Sequence, residues 1–372
     1  MDAQDTAKRL RAISDELSDR FYERADVVRT LVVTLLAGQH SLVLGPPGTA
    51  KSELARELTG RVEGASYWEI LLSKFTAPTR MFGPVDVAAL ARGEYRQVYE
   101  GRATTAHVAF IDEIFKCSTA ALNETLGFLN ERIYHPESGG EPIRCPLIGA
   151  ITASNELPSG EDTAAIYDRL LVRIEVGYLA DPSNFAALVR SAVSRPVAPA
   201  RTTVELAALQ HAVTEAVPAV DVPEGIVDAV CTLRAALRRK ELVASDRRWR
   251  QAVGLLQASA FLDGRRAVAL TDLPTVEREV LHLVNRSWGL SKSEPTQPHA
   301  PNGLGRTGPR RTQPRDGDTD PVRGPGPGGR FPHDLATWVR PEATGRPRTI
   351  TPMERGPRTL APYPASQIAR SA

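Results

Sequence analysis

The sequence has little of what stabilises secreted or zinc-dependent domains. It holds three cysteines in 372 residues (Cys117, Cys145 and Cys231), and none of them forms a CxxC pair. An odd number of widely spaced cysteines argues against a disulfide framework and a structural zinc site, and it fits a reducing compartment. The seven histidines include no HExxH signature of zinc peptidases.

Long hydrophobic runs are also missing. The first 20 residues are charged throughout and lack the apolar segment of a secretory signal. The longest apolar-rich run, at 30–38, has about half of the ~18–20 residues that a membrane-spanning helix needs. We therefore expect a cytoplasmic protein with no membrane span.

The formal charge is nearly balanced at +2, but it is unevenly distributed. Residues 291–372 hold 15 of the 29 prolines, 10 of the 28 glycines and 12 arginines, and their net charge is +6, which leaves −4 for residues 1–290. Such a proline- and glycine-rich composition predicts a disordered tail. The tail is basic enough to contact nucleic acid, but a solvated linker is the simpler interpretation, so nucleic acid is not a favoured partner.

The apolar pattern predicts the architecture of the rest of the chain. Short apolar runs alternate with segments of helical spacing, and five of them read as strands: 41–44, 67–72, 108–111, 148–153 and 172–176. This alternation is typical of a parallel sheet covered by helices on both faces. We predict an α/β fold with a three-layer αβα core over 1–195, an all-helical lid over 196–290 and the tail over 291–372.

The glycine- and proline-rich loop at 45–52, GPPGTAKS, follows the first predicted strand and precedes a helix, which is the context of a phosphate-binding loop. Its backbone N–H groups can surround a phosphate at the helix N-terminus. Lys51 can hold the β- and γ-phosphates, and the Ser52 hydroxyl suits Mg²⁺. The strict pattern has glycine before the lysine, and an alanine there is tolerable only if its φ stays negative. The predicted nucleotide-binding residues are Gly45, Pro46, Pro47, Gly48, Thr49, Ala50, Lys51 and Ser52.

An acidic pair ends the third predicted strand. Asp112 is expected to act with Ser52 as a metal-shell residue, and Glu113 is expected to be the general base for the attacking water. Strand alternation would point the two carboxylates to different sides. Asn155 ends the next strand, where its amide could sense the γ-phosphate; by itself an asparagine after a strand is equally a turn residue.

With these motifs in order, the chain resembles the MoxR branch of the AAA+ ATPases, and within it the RavA-like proteins, over about residues 5–290. The motifs are GPPGTAKS at 45–52, FGPVD at 82–86, FIDEI at 110–114, LNERIY at 129–134, ASNELP at 153–158, YDRLLVR at 167–173 and SDRRW at 245–249. In this family the excursions matching 82–101 and 132–146, a helix-2 insert and a sensor-1 hairpin, line the ring pore or face a partner.

The resemblance also implies roles for several single residues. Arg169 matches the arginine finger that reaches the neighbouring subunit, with Arg173 as the alternative. Arg247 matches the sensor-2 arginine, with Arg248 as the alternative, while Trp249 is expected to pack within the lid. Residues 22–24 (Tyr22, Glu23 and Arg24) resemble the segment that borders the adenine.

Together these expectations describe an ATPase that uses ATP and Mg²⁺. The family implies a homo-oligomer, hexameric by resemblance, that remodels an unidentified protein client with a von Willebrand A (vWA) partner. Two alternatives stay open: a nucleotide-gated scaffold with little hydrolysis, and a nucleic-acid remodelling ATPase. ATP rather than GTP rests on the resemblance alone.

Overall fold

The computed structural model describes residues 2–137, 139–158, 161–193, 201–239 and 243–273. The predicted tail at 291–372 and the last part of the predicted lid lie outside the described residues. Within the described part of the chain, no helix is long and apolar enough to cross a membrane.

The strands and helices alternate along the first half of the chain. The strands are β1 (Ser41–Leu44), β2 (Val62–Glu63), β3 (Tyr67–Leu71), β4 (Val108–Asp112), β5 (Ile133–Tyr134), β6 (Ile143–Arg144), β7 (Gly149–Ser154), β8 (Val172–Glu175) and β9 (Val204–Glu205). The helices are α1 (Ala3–Arg20), α2 (Ala25–Leu36), α3 (Lys51–Thr59), α4 (Pro78–Phe82), α5 (Val87–Leu90), α6 (Thr119–Glu131), α7 (Glu161–Arg169), α8 (Pro182–Val193), α9 (Leu206–His211), α10 (Glu224–Arg239) and α11 (Asp246–Leu262).

Five strands form one parallel sheet in the order β3-β4-β7-β1-β8. Its strands are almost wholly apolar because both faces are buried: Val43 and Phe110 pack into one core layer, and Leu42 and Ile111 into the other. The α/β prediction is therefore confirmed. Since all five strands run the same way, their carboxyl ends meet at one edge, where ligands bind in open α/β sheets.

The excursion at 132–146 contains an antiparallel pair, β5 with β6, as predicted. Arg132 fixes its base from a left-handed conformation with φ 54°. Its guanidinium donates to the carbonyl oxygens of Leu147 at 2.7 Å and Gly38 at 2.6 Å. Burial lowers the pKa of Arg132, and these carbonyls replace the water that the cation loses.

The lid begins differently from the sequence expectation. A two-residue strand, β9, pairs in parallel with β2 of the core, so the stretch after 196 is not wholly helical. Two residues are too few to show a period of two, which is why the apolar pattern missed this strand. Helix α11 then packs against α1 and α2 and buries Leu255, Leu256 and Leu262.

Candidate functional site

The phosphate-binding loop connects β1 to α3 at the carboxyl edge of the sheet. Gly45 cannot be another residue, because a Cβ there would lie 2.1 Å from the carbonyl oxygen of Val176. Gly48 has φ 79°, and a Cβ at this position would meet no atom within 4 Å. Thr49 Oγ1 donates to the Pro46 carbonyl at 2.9 Å. The loop thus forms an open concavity at the N-terminus of α3, which suits an anion.

Ala50 contradicts one expectation for this loop. It has φ 62° and ψ 23°, in the left-handed region, whereas a negative φ is the sequence-based expectation for alanine at this position. The turn from loop to helix needs a left-handed residue at this N-cap position, and the methyl group makes that turn cost about 1–2 kcal/mol. The chain keeps the loop shape at this cost.

Lys51 lies at the first position of α3 and folds back over the loop. Its Nζ donates to the carbonyl oxygens of Gly45 at 2.6 Å and Pro46 at 3.1 Å, and to Asn155 Oδ1 at 3.1 Å. Burial lowers the pKa of Lys51, while the charges of Asp112 and Glu113 act in the opposite direction. The ammonium group is therefore held between the loop and the two acidic residues.

The acidic pair ends β4 as predicted, but strand alternation does not separate its side chains. The strand stops at Asp112, and Glu113 turns into the left-handed region with φ 54° and ψ 45°. Its backbone N–H donates to Asp112 Oδ1 at 3.0 Å. The turn after the strand, and not strand alternation, therefore sets the position of Glu113 relative to Asp112.

Asn155 connects the two halves of the site. It follows β7, the neighbour of both β1 and β4 in the sheet. Its Nδ2 donates to Glu113 Oε1 at 2.8 Å, while its Oδ1 accepts from Lys51. One amide thus contacts both the cation and the candidate base, which is more than a turn residue requires.

A neighbour of Glu113 that the sequence reasoning missed is Lys116. Its Nζ lies 3.3 Å from Glu113 Oε2 and 3.7 Å from Glu156, and the bond to Glu113 raises the pKa of Lys116. The lysine three residues after the glutamate was the available signal, because that spacing brings the two side chains together on a helical turn.

The donors present fit Mg²⁺ better than a transition metal. Ser52 and Asp112 line the same cavity beside the loop, and both offer hard oxygen atoms. No group of three or more His, Cys, Asp or Glu side chains in the described residues could hold a metal by itself. Mg²⁺ commonly binds with one or two protein oxygens plus phosphate oxygens and water, and this donor set matches that habit.

The predicted arginines lie at the other end of the sheet. Arg169 ends α7, just before the amino end of β8, and its Nη1 donates to the Ala165 carbonyl at 2.7 Å. Arg247 bonds Asn130 Oδ1, at the end of the helix that returns from the acidic strand. Burial lowers the pKa of Arg169, and the charge of Arg247 lowers it further, so the two cations are neighbours. Neither is near the phosphate loop of its own chain.

The alternative arginines are buried instead. Arg173 is 4% exposed, lies over the Tyr167 ring at 3.5 Å, and donates to the Tyr167 carbonyl at 2.7 Å. Burial and then the charge of Arg248 lower the pKa of Arg173 to about 9. Arg248 is 2% exposed and donates to the Leu171 carbonyl at 2.8 Å. Arg248 thus holds the lid helix α11 to the core, whereas Arg173 braces the core segment that precedes β8.

The segment ahead of α2 has a definite structural role. Glu23, at φ 57°, accepts from the backbone N–H groups of Ala180 at 2.8 Å and Asp181 at 2.9 Å. These bonds lower the pKa of Glu23 and tie the segment to the start of α8. Arg24 donates to the Gly177 carbonyl. In the lid, Trp249 packs against the main core cluster, in line with the expected packing role.

A parallel sheet in this order, a phosphate loop after β1, an acidic pair after β4 and a polar residue after β7 define the AAA+ class of P-loop proteins. Comparison with known proteins agrees. Residues 8–212 match a family model described as the MoxR domain in the MoxR-vWA-beta-propeller ternary systems, and 225–279 match a model of the AAA lid domain. The chain therefore belongs to the MoxR family of AAA+ ATPases.

Individual proteins that resemble this chain share about a third of its residues or fewer. The chain is 33% identical over 266 residues to the uncharacterized protein MJ0079 of Methanocaldococcus jannaschii, covering 71% of this chain and 68% of the relative. It is 32% identical over 265 residues to MJ0812 of the same organism, covering 71% and 69%. A crystal structure from Cytophaga hutchinsonii, provisionally described as an ATPase, aligns with a TM-score of 0.63 at 16% identity, over 75% of this chain and 87% of that one. At this low identity, the structural likeness supports the assignment of the fold and nothing more specific.

Proposed function

We propose that the chain hydrolyses Mg²⁺-bound ATP in a ring of identical subunits, in which a neighbour's arginine completes each site. The observation that carries this proposal is the bonded series from Lys51 through Asn155 to Glu113. It links a phosphate-binding cation, a sensing amide and a carboxylate at the carboxyl ends of three adjacent strands.

Each member of the series has a chemical task. The loop N–H groups and Lys51 bind the phosphates, and Ser52 and Asp112 hold the metal, which neutralises phosphate charge when bound. Glu113 accepts a proton from the attacking water, and the Asn155 amide orients that carboxylate. Lys116 fixes Glu113 Oε2 by its ion pair. Asn155 therefore holds one oxygen of the base and Lys116 holds the other.

The position of Arg169 and Arg247 supports a shared site. Both lie towards the amino ends of the strands, whereas the phosphate loop lies at the carboxyl ends. A cation at that end cannot reach its own nucleotide, but it can face the next subunit's nucleotide in a head-to-tail ring. We propose Arg169 as the finger and Arg247 as its companion, both acting on the neighbour.

Glu113→Gln tests the assignment of the base. It keeps the shape of the side chain and removes its basicity, so we expect ATP to bind as before and turnover to fall by about 10²–10⁴-fold. Glu156→Gln is the matched control, since it removes the other carboxylate that contacts Lys116 and should leave turnover within about twofold of the unchanged chain. Unchanged phosphate release by Glu113→Gln would refute the assignment. An unaltered chain that binds ATP without releasing phosphate would instead favour a nucleotide-gated scaffold.

The partner proposal rests on the family description. The matching MoxR model is named for ternary systems with vWA and beta-propeller components, and we propose that this chain acts with a vWA-domain protein to remodel a protein client. A RavA-like branch and a cytoplasmic location remain predictions. Capture with the Glu113→Gln chain in ATP should retain a vWA protein and release it in ADP. Recovery of no such protein in either nucleotide would count against this partner.

A further inference from the structure

A cavity of about 410 Å³ includes the two residues of the proposed metal site in its lining. Ser52 and Asp112 line it together with the β3 residues from Trp68 to Leu71. Three residue steps along a strand cover about 10 Å. The cavity therefore extends along the edge strand beyond what a metal site needs.

The walls of this cavity carry more positive than negative side chains. Three arginines and two carboxylates line it. Arg56 is already paired with Glu69 by two bonds of 3.1 Å, and Asp112 belongs to the proposed metal site. The guanidinium groups of Arg80 and Arg102 make no hydrogen bond or ion pair with any other described residue.

These two free cations come from separate segments. Arg80 is exposed and lies on α4, directly after the turn that ends β3. Arg102 is half-buried and precedes the short helical turn Ala103–Thr105. That turn is fastened to α4 by the Thr104 hydroxyl, which donates to the Phe82 carbonyl at 3.4 Å. The fold thus brings both arginines into the lining of one cavity.

We propose that Arg80 and Arg102 form a subsite for inorganic phosphate, the product that hydrolysis releases beside Ser52 and Asp112. The inference rests on the proposed ATPase function. A phosphate dianion matches the two uncompensated positive charges, and guanidinium groups bind phosphate oxygens with charge-assisted hydrogen bonds. The subsite receives phosphate from the γ-position while ADP stays on the loop, so the two products leave by different routes.

Phosphate binding to the ADP-loaded full chain tests the subsite without requiring hydrolysis. With Mg·ADP bound, the loop is occupied, and titration calorimetry with inorganic phosphate at constant ionic strength should show saturable binding. Arg102→Ala and Arg80→Ala should each weaken phosphate binding by about tenfold or more, because each removes a charged hydrogen-bond donor. Their affinity for ADP should stay within about twofold, and Arg102→Lys should recover part of the loss.

Arg96→Ala is the matched control. Arg96 is exposed, lies 3.8 Å from Asp86 and does not line the cavity, so its loss should leave phosphate affinity unchanged. Equal phosphate affinity in all the variants, or no phosphate binding by the unaltered ADP-loaded chain, overturns the subsite. ADP and phosphate binding without ATP turnover would refute the proposed function alone, whereas failure to bind ADP would refute both.

Discussion

Replacing Ala50 by glycine should stabilise the protein, although the change removes a methyl group. At φ 62° the alanine Cβ crowds the backbone and costs about 1–2 kcal/mol. Glycine removes this cost but adds about 0.5–1 kcal/mol of conformational freedom to the unfolded chain. The difference predicts a gain of about 0.5–1 kcal/mol in the free energy of unfolding.

Urea unfolding followed by circular dichroism measures this gain. With a slope of about 2–3 kcal/mol per molar urea, the midpoint of Ala50→Gly should rise by about 0.3 M. Ala235→Gly is the matched control, because Ala235 is exposed and lies in the interior of α10. There the same replacement should lower stability by about 0.5–1 kcal/mol. A midpoint lowered as far by Ala50→Gly as by Ala235→Gly would show that Ala50 is not left-handed.

Three further predictions concern His40, the glycines of the phosphate-binding loop and Arg248. Burial, followed by the charge of Arg132, lowers the pKa of His40 in the folded chain to about 4. Because His40 of the unfolded chain takes up its proton at a higher pH, about 6.5, the free energy of unfolding should fall by about 3 kcal/mol as the pH drops from about 6.5 to 4. His40→Gln should flatten this pH dependence, measured by urea unfolding. Gly45→Ala should abolish ATP binding or folding, because its Cβ would lie 2.1 Å from the carbonyl oxygen of Val176. In Gly48→Ala the added Cβ meets no atom within 4 Å, so the change should lower the free energy of unfolding by only about 1–2 kcal/mol, measured by thermal unfolding. Arg248→Ala should lower the free energy of unfolding by about 2–4 kcal/mol, because it leaves buried carbonyl oxygens unpaired. Limited proteolysis should then cleave the lid faster in Arg248→Ala than in Arg247→Ala. Equal cleavage of the two variants would contradict the role of Arg248 in holding the lid helix to the core.

The sheet and the phosphate site could be predicted from the sequence because their signals are local. Four-to-six-residue apolar runs mark strands that are buried on both faces, and the loop chemistry needs its residues in sequence order. The predicted strand at 41–44 matches β1, and the other four differ by a residue at one or both ends. The acidic pair followed from the same strand pattern.

The parts that escaped prediction depend on tertiary contacts. Nothing local indicates that Arg248 is buried on core carbonyls while its neighbour Arg247 stays exposed, because the direction of a lid helix is set by its packing. The left-handed turns at Ala50 and Glu113 are likewise imposed by the chain on either side. The meeting of Arg80 and Arg102 in one cavity requires segments that are 22 positions apart in the sequence.

The central claim, that each site is shared between subunits, is tested most directly by mixing two inactive variants. Lys51→Ala supplies an intact Arg169, and Arg169→Ala supplies an intact phosphate loop, so random assembly of equal amounts should restore about one competent interface in four. Mixing Lys51→Ala with Glu113→Gln is the control, since both changes fall on the same side of the interface and no competent site can form. We predict about a quarter of full ATPase activity in the first mixture and none in the second; no recovery in the first mixture, with co-assembly verified, would contradict the shared site.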